Sequence, residues 1–344
     1  MLSLRRSISK ALQLPHLTLL FKGYETAMHH TLKDAGLENH SEVQAVPVTE
    51  VALASASADG MVYIWDAISG KCLETLRGHD SKAVHCCVFS ASGRLVGTSS
   101  TECAKVWETA TGLCVCTLEG HKDWVVSICF NATENLAITA SLDCSARLWE
   151  VSSGRCFQVL PGGVSPIFWA CFDPEPENQE VATASADGTA TIWKQTGEVQ
   201  QVLQGHEDNV VMVSYSANST RLLTASQDRT VRMWEALSGI CMREFRGHTD
   251  TVQSAFFSGD SRLIVSGSLD RTARIWETKT GDCLRTLAGH SGSVLFAIFS
   301  ADSSFVATSA RDSCIRTWDT KTGRLQRIFE GHHGKVNSLS FVSF

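Results

Sequence analysis

The chain has 344 residues, of which 43% are hydrophobic and 19% charged, with a formal net charge of −6. That balance supplies no global basic field to hold nucleic acid as a main partner, and no stretch approaches the roughly 18 uninterrupted apolar residues of a membrane-spanning helix. The length is enough to bury a sizeable core, and one large domain is expected.

Taken in chain order, residues 1–36 carry no repeat. Arg5, Arg6, Lys10 and Lys22 precede the first acid, Glu25, and Leu2, Leu4, Ile8 and Leu12 are spaced loosely as on one helical face. This lead reads in three ways. It is a frayed or surface-packed segment; or, as the lesser reading, a mitochondrial presequence; or, where Leu17 to Phe21 runs into Lys22-Gly23-Tyr24, a strand that caps an edge. Glu42 to Val48 follows His40 but contains Pro47, which cannot donate to a ladder, and it lies very close to the next strand. Val51 to Ser57 and Met61 to Trp65 read as strands, with a further one around Cys72 to Leu76.

From there the chain repeats one pattern, clearest in Gly247 to Trp276. A Gly-His pair leads into an apolar strand from Val252 to Phe257 and a turn at Ser258-Gly259-Asp260. A second strand ends at Ser268, and a third follows Asp270 and closes on Trp276. The tryptophan recurs at Trp65, Trp107, Trp149, Trp193, Trp234, Trp276 and Trp318, a period of about 42 residues, which is the length of a propeller blade. Gly-His recurs in step at His79, His121, His206, His248, His290 and His332, and Gly162-Gly163 stands where a seventh pair belongs.

On these markers the chain resembles the WD-repeat β-propeller family over roughly residues 40–344. The resemblance implies an all-β fold, a seven-bladed β-propeller of four-stranded antiparallel blades occupying 37–344 after a 1–36 lead. Blade 1 has two candidates for its innermost strand, Glu42 to Val48 and Val336 to Val342. The second is the economical one, because a C-terminal strand that completes blade 1 closes the ring and removes two exposed edges. His332 would then serve Asp59 and Trp65.

The resemblance further implies a hydrogen-bonded chain in each blade, in which Asp orients His, His meets the Ser two residues before the Asp, and that Ser meets the indole N–H. Blades 3, 5 and 6 carry the full set: His121, Ser141, Asp143 and Trp149; His206, Ser226, Asp228 and Trp234; His248, Ser268, Asp270 and Trp276. Blade 4 keeps Ser185, Asp187 and Trp193 but has Gly163 for His. Blade 7 has Ala310 for Ser beside His290, Asp312 and Trp318, and blade 2 puts Glu102 at the Asp position. Blades 2, 4 and 7 are therefore expected to be held less rigidly.

These recurring His, Ser and Asp residues are not read as hydrolase triads, because a catalytic constellation is unique and sits in a cleft. The sequence holds no Gly-Lys-Ser/Thr phosphate loop, His-Glu-x-x-His helix or Gly-x-Ser-x-Gly elbow. No enzyme, cofactor or metal site is expected. Cys86-Cys87 and Cys114-x-Cys116 lack the paired spacing of a zinc site. Cys72, Cys114, Cys156, Cys241 and Cys283, each two residues after a Gly, read as buried small apolar side chains of a fourth strand. The odd total of 13 cysteines argues against a complete disulfide framework and for a reducing compartment.

What remains is binding. The resemblance implies that the third and fifth residues after the His, and the residue before the Asp, line one face of the ring. Blade 3 offers Trp124, Val126 and Leu142, and blade 4 offers Pro166, Phe168 and Ala186, so two adjacent blades are expected to present one apolar group. Further round come Asn209, Val211 and Gln227, then Thr251, Gln253 and Leu269, then Ser293, Leu295 and Arg311, with Lys335 and Lys82 beyond. An exposed Trp with Phe and Leu beside it is a hot-spot composition; the opposing reading lays Trp124 against a neighbouring blade as ordinary packing. On the other face, the hairpin Asp173 to Glu180 is acidic, Pro-stiffened and expected to be solvated, as are Asp66, Glu108, Glu150, Glu235, Glu277 and Asp319.

Two function classes fit. One is a non-catalytic scaffold that assembles a multiprotein complex through this face; the other is a substrate receptor or peptide-motif reader, for example in a ubiquitin ligase. The scaffold is preferred, because no blade Trp is followed three residues later by the Arg of a Trp-Asp-x-Arg docking motif. The face also has one arginine, Arg311, where phosphopeptide readers cluster several. Partners are expected to be proteins or peptides, and the location cytoplasmic, with the nucleus an open alternative. The sequence leaves partner identity and oligomeric state open.

Overall fold

The second strand of each repeat ends in a run of small residues: Leu95–Ser100 reads LVGTSS, Leu136–Ser141 reads LAITAS and Leu263–Ser268 reads LIVSGS, each buried on both faces after its first residue. A strand buried on both faces must lie between two other sheets, and small residues let those sheets approach. At Gly97 the approach is close enough that an added Cβ would sit 2.9 Å from the Ile128 side chain of the next blade.

A computed structural model describes residues 51–79 and 82–343, together with the strands Thr18–Phe21, Tyr24–Glu25 and Gln44–Val46. It contains seven four-stranded antiparallel sheets, one for each tryptophan of the repeat. Blades 2 to 7 are consecutive in sequence. Blade 3, for example, is Val125–Phe130, Leu136–Ser141, Ser145–Glu150 and Arg155–Pro161, from the innermost strand outward. Blade 1 is not consecutive: its innermost strand is Val336–Ser343, paired beside Val51–Ser57, Val62–Asp66 and Cys72–Leu76. The C-terminal strand therefore closes the ring.

The competing strand takes another place. Gln44–Val46 pairs with Thr18–Phe21, which also pairs with Tyr24–Glu25, giving a separate three-stranded sheet. By proximity of Cα atoms, Leu53–Val342 form one compact unit, and Met1–Ala52 with Ser343–Phe344 form another. The basic residues behind the presequence reading, and Leu17, Lys22 and Gly23, lie outside the described residues.

Side chains stitch the innermost strands from blade to blade. Phe89 N–H donates to Ser340 Oγ (3.0 Å), Ala170 N–H to Ser127 Oγ (3.1 Å) and Ala297 N–H to Ser254 Oγ (3.0 Å), while Ser214 Oγ donates to the Ala255 carbonyl (2.9 Å). Farther out, each repeat tryptophan is buried as a wedge, with Trp149, Trp234 and Trp276 almost fully enclosed. The glycine before each His is needed for this: an added Cβ at Gly78 would stand 2.6 Å from Trp107.

The fourth-strand cysteines, the acidic hairpin and the acids after each Trp differ from expectation. Cys72, Cys114, Cys241 and Cys283 are exposed and Cys156 is half-buried, because the fourth strand is an outer edge with one side in solvent; each thiol instead donates to the carbonyl two residues on. All 13 cysteines are free. The acidic hairpin is solvated only in its middle. Asp173 is buried, accepting from Asn178 Nδ2 (2.9 Å) and from the Ser219 hydroxyl of blade 5, and Glu180 is paired with Lys194 at 2.8 Å. The acids after each Trp also have a task beyond solvation: Glu108, Glu150, Glu277 and Asp319 each accept the hydroxyl of the Ser or Thr three residues later, closing the outer turn.

Candidate protein-interaction face

The loops entering the innermost strands are fastened by a relay that starts at the buried tryptophan. In blade 3 the Trp149 indole N–H donates to Thr139 Oγ1 (2.8 Å), Thr139 Oγ1 lies 2.8 Å from His121 Nε2, and His121 Nδ1 lies 2.9 Å from Asp143 Oδ2. The Asp143 carboxylate can only accept, which leaves Nε2 of a neutral His121 to accept from the Thr139 hydroxyl. His121 then carries its proton on Nδ1, where it donates to the carboxylate, and every donor is satisfied by a neutral imidazole. Asp143 also accepts the Lys122 amide, which pins the loop at its first residue.

Ser141 does not occupy the relay position expected of it. Its hydroxyl donates to the Asp123 carbonyl (3.1 Å) and accepts the Asp143 amide (3.1 Å), so it ties the loop to the turn by a second route. The relay hydroxyl is the one four residues before the Asp: Thr139, Thr224 and Ser266 in blades 3, 5 and 6. Ser226 and Ser268 behave as Ser141 does. Blade 7 therefore keeps its relay. Ala310 leaves its relay whole, because Thr308 joins His290 Nε2 (2.8 Å) to the Trp318 indole (2.8 Å), and Arg316 adds a bond to Asp312 at 2.8 Å.

Blade 1 has the full relay across the closure, with His332 bonded to Asp59 (3.0 Å) and to Ser55 (2.8 Å), which accepts the Trp65 indole. In blade 2, His79 meets Thr98 (2.7 Å), while Glu102 is exposed and pairs with Lys82. In blade 4, Trp193 still donates to Thr183 (2.9 Å), and Asp187 serves only its own turn through Thr189. The loop there is held by backbone instead. Blade 3's outer strand runs on to Pro161, and the Gly162 amide donates to the Cys144 carbonyl (2.8 Å).

Electrostatics follow from this geometry. Burial alone would raise the Asp143 carboxyl, but bonds from the Ser145 hydroxyl, the Lys122 amide and His121 outweigh it and hold it at about 2. Asp312 is likewise held at about 2 by His290, Arg316 and the Ser291 amide against the same burial. Asp228 and Asp270 are also held below the usual carboxylate range, burial again being outweighed by hydrogen bonds from His206 and Thr230, and from His248 and Thr272. Burial lowers His121, His290 and His332, more than their aspartates raise them.

The fastened loops present the face. In six blades the residue before the Asp position donates its amide to the carbonyl of the residue before the innermost strand: Leu142 to Trp124 (3.0 Å), Ala186 to Pro166 (3.0 Å), Gln227 to Asn209 (2.9 Å), Leu269 to Thr251 (2.9 Å), Arg311 to Ser293 (2.9 Å) and Ala58 to Lys335 (3.0 Å). The residues singled out from sequence are thus neighbours within each blade. Trp124 is 49% exposed and Arg311 is exposed, whereas Val126, Leu142, Phe168, Val211, Gln227, Leu269 and Leu295 are half-buried.

Trp124 rests one ring face on His85 of blade 2, with centroids 5.1 Å apart and planes 18° from parallel, and about half of its surface stays in solvent. No ring contact joins it to Phe168 among the described residues. Burial, with a smaller contribution from the Lys335 charge, pushes His85 down to about 4, so the stacking partner is an uncharged ring. Two residues here were not singled out from sequence. His85 occupies the place of Val126 in its own blade, and its loop is one residue longer than the template. Val164, 95% exposed, stands in the loop where Gly163 replaces the histidine, and that replacement was the available signal.

The family model described as "WD domain, G-beta repeat" matches residues 33–66, 70–108, 112–150, 154–194, 197–235, 239–277 and 281–319. Among curated proteins, the chain is similar to Protein Notchless of Drosophila melanogaster, 36% identical over 78 residues, or 22% of this chain and 16% of that protein. It is similar to THO complex subunit 6 of Arabidopsis thaliana, 30% identical over 70 residues, covering 20% and 19%. A third similarity is to the Ribosome biogenesis protein WDR12 homolog of Trichoplax adhaerens, 41% identical over 58 residues, covering 16% and 13%. The chain spans less than a fifth of the length of each of these relatives.

Proposed function

The chain belongs to the WD domain, G-beta repeat family, and from that premise we propose that it is a non-catalytic protein-interaction scaffold that assembles a multiprotein complex through its loop face. The observation that carries this reading is Trp124. A large aromatic ring is stacked on His85 and remains about half exposed, with half-buried Val126 and Leu142 on its own blade. Rigid, partly desolvated aromatic platforms ringed by apolar side chains are where binding energy concentrates. The fixed loops supply the preorganisation, since a partner that docks there orders little.

The relatives' names fit the reading without fixing the partner: one is a subunit of a complex, and one serves ribosome biogenesis. The partner is expected to offer an apolar or aromatic side chain to the exposed surface of Trp124. Affinity capture from cells, compared between the natural chain and Trp124→Asp, tests the reading. The substitution is expected to weaken capture by about 2 kcal/mol or more with little change in melting temperature. Capture that is unchanged removes this face from the function, and a large fall in melting temperature makes Trp124 a packing residue.

A further inference from the structure

At the other end of the strands, where the innermost strands turn back, the groove between neighbouring blades is built with opposite charge in two successive places. Between blades 4 and 5 it has a volume of 450 Å³, and the charged residues on its wall are Asp173, Glu180 and Glu235. Between blades 5 and 6 it has a volume of 790 Å³, and its wall carries Arg221, Arg243, Arg262 and Lys279 against Asp260 and Glu277. In a chain of net charge −6 this is a local reversal. Met233 and Met242 supply apolar surface in the same groove. We propose that the groove between blades 5 and 6 is a docking site for a short acidic peptide segment of a partner protein, with carboxylates on Arg221, Arg262 and Lys279 and an apolar side chain on Met242.

The fold does not require a cation at Arg221. It is the first residue of its blade's second strand, and the same place holds Leu95, Leu136, Leu263 and Phe305 in blades 2, 3, 6 and 7. Blade 4 has Glu180 there, but Lys194 neutralises it at 2.8 Å. Arg221 lies opposite Glu235 in the ladder, yet the Glu235 carboxylate accepts the Ser238 hydroxyl. The Arg221 guanidinium has no ion pair or hydrogen bond among the described residues. A half-buried guanidinium without an anion is an open bidentate site for a carboxylate.

The other cations divide by role. Arg243 is fixed, donating to the Thr280 (2.8 Å) and Lys279 (3.0 Å) carbonyls of blade 6, and Arg285 reaches Lys321 in blade 7 in the same way (3.0 Å). It contributes a standing charge to the groove. Lys279 and Arg262 are exposed on the blade 6 side, with Arg262 Nε 3.7 Å from Asp260. Positive charge is therefore spread across the groove with methionine surface between, and a soft apolar floor suits a varied side chain. A small anion would engage one of these groups, whereas a peptide spans them. A nucleic-acid backbone would meet Asp260 and Glu277 and then the acidic groove next door.

This site goes beyond the scaffold reading and does not depend on Trp124, which lies at the other end of the strands. The full chain is titrated with a fluorescent peptide that alternates Glu and Asp around one central Leu, followed by anisotropy. Unlabelled peptide, its Lys-substituted counterpart and inorganic phosphate serve as competitors. Binding is expected for the acidic peptide only, weakening as salt rises. Arg221→Leu is expected to lower its affinity about tenfold without lowering the melting temperature, because leucine holds that place in three other blades. Lys279→Glu, on an exposed turn, is expected to lower it by several-fold, and Trp124→Asp to leave it unchanged. Affinity unaltered by both Arg221→Leu and Lys279→Glu overturns the proposal, as does phosphate competing as well as the peptide. Peptide binding that survives in Trp124→Asp while cellular capture fails, or the reverse, separates this site from the loop face.

Discussion

Blades 4 and 6 are made of the same four strands, but their entry loops are fastened differently. In blade 6 a chain of four side chains runs from the buried Trp276 through Ser266 and His248 to Asp270, and Asp270 then holds the Thr249 amide of the loop at 3.1 Å. In blade 4 the chain stops at Thr183, Gly163 has open space around it, and two backbone bonds, Gly162 to Cys144 and Ala186 to Pro166, hold the loop. The propeller does not need a relay in every blade, since sheet-to-sheet burial supplies the architecture. The relay instead fixes what the loop displays. Where it is missing, the loop puts Val164 into solvent and lies beside the blade that carries Trp124.

Acid is expected to have the largest effect, because it acts on several relays together. His121, His290 and His332 bind a proton less readily in the folded chain than unfolded, chiefly through burial. Their contribution is complete above the unfolded value of about 6.5 and declines as pH falls below it. The aspartates add to this lower down: Asp143 and Asp312, held at about 2, contribute fully above about 3.9 and lose that contribution as pH falls toward 2. Urea midpoints are expected to fall from pH 7 to 5 and again below pH 4. Amide exchange is expected to quicken first at Lys122 and Ser291, whose amides rest on relay aspartates, while Gly162 keeps its protection. A flat midpoint between pH 7 and 5 would mean the histidines titrate alike in both states.

A single blade gives the next largest effect. Asp270→Ala leaves His248 Nδ1–H buried without an acceptor and releases the Thr249 and Thr272 amides, at a cost of about 3 kcal/mol. Asp187→Ala in blade 4 loses only two bonds from Thr189 in an exposed turn, at a cost of about 1 kcal/mol or less. Equal costs from denaturant unfolding would mean that the aspartate serves its own turn in both blades and the relay adds nothing.

The repeat period, the seven Gly-His or Gly-Gly markers and the unmatched strand after His332 were enough to read the ring and its closure. The relay hydroxyl was not readable from the full blades. Residues two apart on a strand point to the same face, and blades 3, 5 and 6 carry a hydroxyl at both candidate positions: Thr139 and Ser141, Thr224 and Ser226, Ser266 and Ser268. Alternation cannot choose between them. The exposed fourth-strand cysteines were missed for a related reason, since a position that recurs looks like core until the outer edge is known to face water. Charge in the groove between blades 5 and 6 needs the fold, because Arg221, Arg243 and Lys279 come together only when two blades pack.

Blade 7 holds the substitution that chooses, because it alone has one hydroxyl without the other beside an intact His and Asp. Thr308→Val removes the group that accepts the Trp318 indole and meets His290, leaving two buried nitrogens without partners, and is expected to cost about 2 kcal/mol. Ala310→Ser restores the hydroxyl that in blade 3 bonds the Asp123 carbonyl and the Asp143 amide, and is expected to change stability by less than about 0.5 kcal/mol, since the loop is already held through Asp312. Both are read from urea midpoints at neutral pH. A silent Thr308→Val with a stabilising Ala310→Ser would return the relay to the serine and make blade 7 the loosely held blade that its sequence suggested. The expected pair of outcomes leaves blade 4 as the blade whose loop relies on backbone alone, directly beside the face that Trp124 offers.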